Sequence, residues 1–395
     1  MSTPDRIVIV GGARTPTGSF GGELKDVDNH LLGAHAVKAA AARAGVEVAD
    51  VDEFIVGCVG QVGGDAFVGR RVALSAGARE SSTAMSVNRL CGSGLQAIAS
   101  AAMELRLNPE TKIAVAAGAE NMTRQPFMDF QARTGYKLGH HKLIDGTLSL
   151  VTDPFGGYPM GNTAENVARE FDISREAQDE FAAESQRRAQ EALAAGAVAD
   201  EIEPLTVKER RGERVVDTDE HPRDGVTAEK LGRMRPAFVE GGTVTAGNSS
   251  GINDAGAAVV LMRESEARDR GLEPQAELVD FCKAALRPEI MGYAPKLAID
   301  KILDRTGMAL SDFGWIELNE AFASQAVAVM RDGGLDPEKT NPLGGAIAWG
   351  HPIGATGVIL SLRTVANLRK KQLEHGLVTM CIGGGQAVAA IFRAL

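Results

Sequence analysis

The chain has 395 residues, a formal net charge of −10, 44% hydrophobic residues and only 5% aromatics. That length and apolar share support two or three domain-sized units around a large core, and the acidic balance argues against a nucleic-acid partner, which needs a basic stripe. Four cysteines (Cys58, Cys91, Cys282, Cys381) without a C-x-x-C pair argue against a disulfide framework or zinc ribbon, and no apolar run is long enough to span a bilayer, so a cytoplasmic protein with no metal site and no membrane partner is expected.

Taken in chain order, Arg6-Ile-Val-Ile-Val10 reads as a buried strand running into a glycine-rich turn. Apolar residues at helical spacing predict a helix from Asn29 to Ala44, closed by Gly45. Glu53-Phe-Ile-Val56 and Ala84-Met-Ser-Val87 read as short strands, followed by a helix from Gly92 to Leu107 and the strand Lys112-Ile-Ala-Val-Ala116. Strands and helices alternating at this spacing predict an α/β sheet of parallel strands. From about Asn121 to Glu240 the rhythm breaks. Charge and proline collect there, and the one long predicted helix runs from the cap residue Ser174 to about Ala195. This stretch reads as an insertion lying over the core.

The core pattern then returns as a repeat. Gly45-Val-Glu-Val-Ala-Asp50 followed by Phe54-Ile-Val56 matches Gly307-Met-Ala-Leu-Ser-Asp312 followed by Ile316-Glu-Leu318 at the same spacing. Val244 to Asp254, running into Ala257-Ala-Val-Val-Leu261, likewise matches Val378 to Gly385, running into Ala387-Val-Ala-Ala-Ile391. The chain therefore divides into a first core half over 1–120 completed by 241–270, an inserted loop domain over 121–240, and a second core half over 271–395. Two such halves are expected to pack as two sheets with helices between and outside them, with a site at their interface.

Three glycine-rich segments carry the chemistry: Asn88-Arg-Leu-Cys91-Gly-Ser-Gly94, Gly344-Gly-Ala-Ile-Ala-Trp-Gly-His351-Pro-Ile-Gly-Ala-Thr-Gly357, and Cys381-Ile-Gly-Gly-Gly-Gln386. Cys91 falls between a predicted strand and helix, where the helix dipole and free N–H groups favour a thiolate; taken alone, a buried structural cysteine fits equally. His351 sits ahead of a predicted helix with Pro352 at its first position, a place that disfavours imidazolium. A histidine capping its own helix is the alternative. Cys381 ends a strand before Gly383-Gly-Gly385, whose successive N–H groups suit an oxyanion; no Walker lysine supports a phosphate loop instead. Asn319-Glu-Ala-Phe322 follows a buried strand and can orient a water or cap a helix. Cys58 and Cys282 read as core. His140 and His141 with Lys137 and Lys142 form a small basic patch, not a metal site.

Together these segments resemble the thiolase family, nearly end to end. Ala13-Arg-Thr-Pro-Thr-Gly-Ser-Phe20, Gly161-Asn-Thr-Ala-Glu-Asn166 and Thr245-Ala-Gly-Asn-Ser-Ser-Gly-Ile-Asn-Asp254 complete the series in family order. The resemblance implies a thiolase fold, a five-layered αβαβα core of two similar halves with an inserted loop domain, assembled as a homotetramer or homodimer. It implies acyl-CoA, acetyl-CoA and CoA as substrates and products, with no permanently bound cofactor. It implies that Cys91, activated by His351, takes up the acyl group, that Cys381 exchanges the α-proton of acetyl-CoA, and that His351 with a water on Asn319 steadies the enolate. The N–H groups of Cys91 and Gly383 would form the second oxyanion hole. By position, Ser250 would touch the pantetheine arm and Arg223 the nucleotide end, while Met160, Phe238, Met291 and Phe322 would line the tunnel.

Three departures stand out. Pro159 occupies the place where acetoacetyl-specialised members carry histidine, which predicts acceptance of somewhat longer, short to medium, 3-ketoacyl chains. Trp349 is bulkier than the usual aliphatic residue and either shapes the pocket or fills core. Ala387 replaces a common glycine and would be strained if its φ were positive. A decarboxylating 3-ketoacyl synthase on the same fold would pair one cysteine with two histidines, or with a histidine and an asparagine; a cysteine in the last glycine-rich loop argues against it.

Overall fold

The computed structural model describes residues 5–210 and 212–395; the first four residues of the expected first half and Arg211 of the expected insertion lie outside it. The first half runs β1 (Ile7–Arg14), α1 (Asn29–Ala44), β2 (Glu53–Gly57), α2 (Val68–Ala76), β3 (Thr83–Val87), α3 (Ser93–Leu107) and β4 (Ile113–Asn121). Every residue of β1 and β4 is buried, as continuous apolar runs must be when helices cover both faces of a sheet. Helix α1 ends where Gly45 turns left-handed at φ 68° and its N–H reaches back to the last turn, a conformation without cost only for glycine.

Two helices dominate the inserted stretch, α4 (Met160–Glu170) and α5 (Arg175–Ala194). The Ser174 hydroxyl caps α5 by accepting from the Ala177 amide at 3.1 Å. The chain then re-enters the core with β5 (Asn253–Arg263) and builds the second half from β6 (Ala276–Ala285), α6 (Ala294–Thr306), β7 (Phe313–Leu318), α7 (Ala323–Gly333), α8 (Thr356–Lys370), β8 (His375–Ile382) and β9 (Gln386–Ala394).

The strands run in the order β3-β2-β4-β5-β1 and continue as β6-β9-β8-β7. In the first half β2 is parallel to β3 and β4, while β4 with β5 and β5 with β1 are antiparallel. The second half repeats this pattern: β7 is parallel to β8, and β8 with β9 and β9 with β6 are antiparallel. A parallel bridge from Ile316 to Thr340 stands in the place of β3. The expectation of a sheet of parallel strands holds for β2 with β3 and β4 and for β7 with β8, and is otherwise corrected to a mixed sheet. A parallel pair needs a long crossover connection, usually a helix; β8 and β9 are joined by the tight turn Gly383–Gly385 and return antiparallel. The expected pair of separate sheets is also modified. The edge strands β1 and β6 meet through Val8 with Glu277 and Ile9 with Ala276, giving one hydrogen-bonded path.

Three apolar cores join five layers, the central one enclosing the middle helices on both faces. The central one holds Leu95 and Ile98 of α3 and Val358 and Leu362 of α8 between Ile55 and Val259 of one half and Val378 and Phe392 of the other. Outside, Val37 of α1 and Val72 of α2 cover Phe54 and Val115, and Ile299 and Ile302 of α6 cover Ile316, Leu377 and Ile391. In the middle layer α3 and α8 touch backbone to backbone. A Cβ on Gly357 would lie 2.2 Å from the Leu95 amide nitrogen, and one on Gly94 would lie 2.8 Å from that of Val358. Cys91 precedes α3 and His351 precedes α8, so this glycine crossing holds corresponding loops of the two repeats side by side.

Candidate active site

A cavity of about 630 Å³ opens at the junction of the halves and the insertion, and Cys91, His351 and Gly383 line its floor. Met160, Phe238, Met291 and Phe322 form an apolar wall, while Ser250 and Arg223 lie on the same lining. Two of the expected residues sit behind this surface. Cys381 and Asn319 are fully buried, Cys381 packed against Met291, Ala321 and Phe322.

The half-buried Cys91 stands on a tight turn in which Gly92 and Ser93 donate to the carbonyls of Arg89 and Leu90. Leu90 carries φ 48°, an uncommon conformation for a side chain of its size, and the Ser93 hydroxyl braces the turn by donating to the Leu90 carbonyl at 2.7 Å. Helix α3 starts two residues after Cys91, with Gly92 at the cap. Burial dominates the thiol and pushes its pKa up to about 11, against the lowering effect of the Gly383 and Cys91 N–H groups. The expectation that the helix terminus alone would yield a thiolate is corrected: the resting group is a thiol needing a proton acceptor. Cys381 is pushed well up by burial, then by the charge of a Cys91 thiolate, so the two sulfurs ionise one at a time.

His351 lies in a turn, not at a helix start. A one-turn helix Ala346–Trp349 precedes it, Gly350 at φ 90° redirects the chain, and α8 begins only at Thr356. Burial alone pushes the imidazole pKa down to about 4, which replaces the helix dipole as the reason for a neutral ring. Its backbone N–H donates to Asn253 Oδ1 at 2.9 Å. The Thr356 hydroxyl sits 2.7 Å from Nδ1 and directs its own proton to the Pro352 carbonyl at 3.0 Å, so it accepts from Nδ1–H and leaves Nε2 unprotonated. Nε2 lies 3.5 Å from Asn319 Nδ2, and Asn319 Oδ1 is buried without a partner. A thiol and a neutral acceptor on the cavity lining, with an unpaired amide oxygen and a second thiol buried behind it, are groups capable of proton transfer and acyl transfer.

The cavity mouth is tied to the core by buried charge. Asp219 accepts two bonds from the Arg14 guanidinium at 2.7 and 2.9 Å and one from the Thr17 N–H. Glu201 in turn bonds Arg14 and Arg363. The Glu220 carboxylate accepts from the N–H groups of Ser19 and Glu23. These bonds fix the 219–223 segment, whose His221 and Arg223 reach the lining.

Trp349 fills core: its ring packs with Ala189 and Ile202, and Nε1 donates to the Leu343 carbonyl at 2.8 Å. Ala387 is unstrained, because it pairs with Cys381 inside β9 while Gly384 and Gly385 take the positive φ values. Pro159 lines the cavity. Cys282 is buried in the outer core, but Cys58 is not in purely apolar surroundings; Asn29 Nδ2 lies 3.2 Å from its sulfur and Glu120 Oε1 lies 3.8 Å away. The sequence reading missed His221, Asn253, Thr356, Glu120 and the apolar group Met122, Leu150, Val151 and Ile353 around Cys91. Glu120 alone left a signal, a charge at the end of an otherwise apolar strand. Among the described residues no group of side chains can hold a metal ion, and no helix is long and apolar enough to cross a membrane.

Comparison with known proteins matches residues 7–265 to the thiolase N-terminal domain and residues 272–394 to the thiolase C-terminal domain. The chain is 49% identical over 389 residues to the beta-ketothiolase BktB of Cupriavidus necator, covering 98% of both. It is 46% identical over 390 residues to an acetyl-CoA acetyltransferase of Rhizobium meliloti, again covering 98% of both. Among solved structures, the Bacillus anthracis acetyl-CoA acetyltransferase superposes with a TM-score of 0.98 at 41% identity over 100% of each chain. Human mitochondrial 3-ketoacyl-CoA thiolase in complex with CoA superposes with a TM-score of 0.95 at 38% identity, covering 99% of this chain and 98% of that one. With both halves matched and the fold shared from end to end, the chain belongs to the thiolase family and is an acyltransferase of that class.

Proposed function

We propose that this thiolase cleaves and forms short- to medium-chain 3-ketoacyl-CoA with Cys91, His351, Cys381, Asn319 and Gly383 as its reacting and stabilising groups. The observation that carries the reading is the meeting of Cys91, His351 and Gly383 on one cavity lining, with Cys381 buried directly behind the wall residues Met291 and Phe322. In cleavage, the Cys91 thiol passes its proton to His351 Nε2 and its sulfur attacks C3 of the 3-ketoacyl-CoA. The C2–C3 bond breaks with its electron pair moving to C2, and Cys381, held as a thiol by burial, protonates C2 to release acetyl-CoA. Cys381 then takes the thiol proton of CoA, and the CoA thiolate attacks the Cys91 thioester. Cys91 leaves and recovers its proton from His351. The amides of Cys91 and Gly383 face the oxyanion formed at each attack, and His351 with a water on Asn319 Oδ1 faces the enolate oxygen. Synthesis is the same path reversed.

Ser250 and the wall of Met160, Phe238, Met291 and Phe322 would hold the pantetheine arm, and Arg223 the nucleotide phosphates. Pro159 removes a polar group from the acyl end, which supports chains longer than acetoacetyl. Division into two core halves and an inserted domain, assembly as a homotetramer or homodimer, a cytoplasmic location and a role in fatty-acid metabolism belong to the same reading. CoA-dependent cleavage of a 3-ketoacyl-CoA ladder tests it, with Cys91→Ala as the blank. The expected result is turnover above acetoacetyl length that vanishes in the blank. Turnover that survives in Cys91→Ala overturns the residue roles, and turnover confined to acetoacetyl-CoA overturns the chain-length reading.

A further inference from the structure

The Glu120 carboxylate is fully buried and belongs to no step above. It projects from the end of β4 in the first half and accepts three backbone N–H bonds, from Val59 at 2.9 Å, Gly60 at 3.0 Å and Gly354 at 2.9 Å. Val59 and Gly60 follow β2, on the same half as Cys91; Gly354 lies three residues beyond His351, on the other half. The fit leaves no slack. A Cβ on Gly354 would lie 2.6 Å from Glu120 Oε2, and one on Gly118, two residues earlier on β4, would lie 2.4 Å from the Gly354 carbonyl oxygen. The His351 turn thus rests on β4 through backbone contact and is drawn onto it by the carboxylate.

From this geometry we infer that Glu120 is a positioning residue, a brace across the two halves that sets where His351 stands relative to Cys91. Its charge does not serve the nucleophile, since a negative Glu120 raises the Cys91 pKa. Reach and acceptor number explain it instead. Three converging N–H donors require oxygen on both arms of the side chain, and only a carboxylate supplies that. Glutamine would place an NH2 group against at least one donor, and aspartate would fall one methylene short. The Cys58 sulfur, 3.8 Å from Oε1, is the neighbouring titratable group, and burial with the Glu120 charge keeps it a thiol.

The inference rests on Cys91 and His351 being the reacting pair, and the test separates the two. In the full-length enzyme, kcat and the KM for CoA are measured for Glu120→Gln and Glu120→Asp beside a Cys91→Ala blank. The pH dependence of Cys91 alkylation by iodoacetamide is followed by peptide mass spectrometry. Glu120→Gln is expected to lower kcat roughly 10- to 100-fold through misplacement of His351, with KM for CoA within about twofold, while the Cys91 pKa falls because the charge is gone. Glu120→Asp is expected to lower kcat with the Cys91 pKa unmoved, and it carries the test alone if the glutamine variant does not fold. General loss of structure would expose Cys91 and lower its pKa in both variants and would raise KM for CoA as well; a lower kcat with KM for CoA held, and with the Cys91 pKa unmoved in Glu120→Asp, is an outcome it does not produce. Wild-type kcat in either folded variant, with the blank inactive, overturns the brace; turnover in the blank overturns the reading beneath it.

Discussion

Replacing Gly357 by alanine tests whether the helix crossing under the site controls the chemistry. The added methyl carbon would stand 2.2 Å from the Leu95 amide nitrogen, where ordinary contact begins at 3.4 Å, so the helices must part by roughly 1.2 Å. The obstructing atoms are backbone or Cβ (Leu95 Cβ is 2.9 Å and the Gly94 carbonyl carbon 3.0 Å away) and cannot rotate aside. Overpacking of this kind costs about 1–3 kcal/mol of stability. The kinetic effect is larger, because the Cys91 turn leads into α3 and the His351 turn leads into α8, and a shift of about 1 Å between reacting groups can cost on the order of 100-fold in rate. The cavity wall of Met160, Phe238 and Phe322 stands apart from this crossing, so CoA affinity should hold. We therefore expect kcat to fall by about two orders of magnitude, KM for CoA to change less than threefold, and the urea midpoint to drop. A folded Gly357→Ala enzyme with kcat within twofold of wild type would refute the claim that the crossing sets the site.

Other outcomes follow from the same structure. Asp219→Asn leaves Arg14 buried with only Glu201, which it already shares with Arg363; loss of a buried partner costs about 3–5 kcal/mol. Chemical denaturation should register that loss, along with a raised KM for CoA as the Arg223 segment loosens. His351 is held near pKa 4, below its ordinary 6.5, so the unfolded chain binds more protons between these values. The stability contributed by keeping the ring neutral is complete above pH 6.5 and declines as pH falls toward 4, by about 2 kcal/mol at pH 5. Urea titrations at pH 7 and 5 should show that component in wild type and not in His351→Gln. Pro159→His should shift the ladder toward acetoacetyl-CoA, with the ratio of kcat/KM for the six-carbon to the four-carbon substrate as the readout; an unchanged ratio would remove Pro159 from chain-length selection.

Local chemistry was legible in the sequence and long-range chemistry was not. The span of α1, its closure by Gly45 and the cap on α5 depend on residues within a turn of each other, and composition and spacing determined them. So did the internal repeat, since two stretches with one pattern of apolar spacing fold alike. Strand direction was beyond local reading, because β4 is parallel to β2 and antiparallel to β5, and nothing within a strand specifies its neighbour. The acidity of the site was decided by tertiary structure too. Cys91 and His351 each sit near glycines and helix starts, which by themselves argue for a thiolate and a dipole-held neutral ring; burial in the packed chain raises the one and lowers the other. Glu120 shows the limit most plainly, for its donors lie 60, 61 and 234 residues away. By itself the sequence determined the elements, their repetition and the residue types that acyl transfer requires. Only the packed chain decided which of them meet and how each is charged, because electrostatics in a buried site depends on everything that excludes water from it.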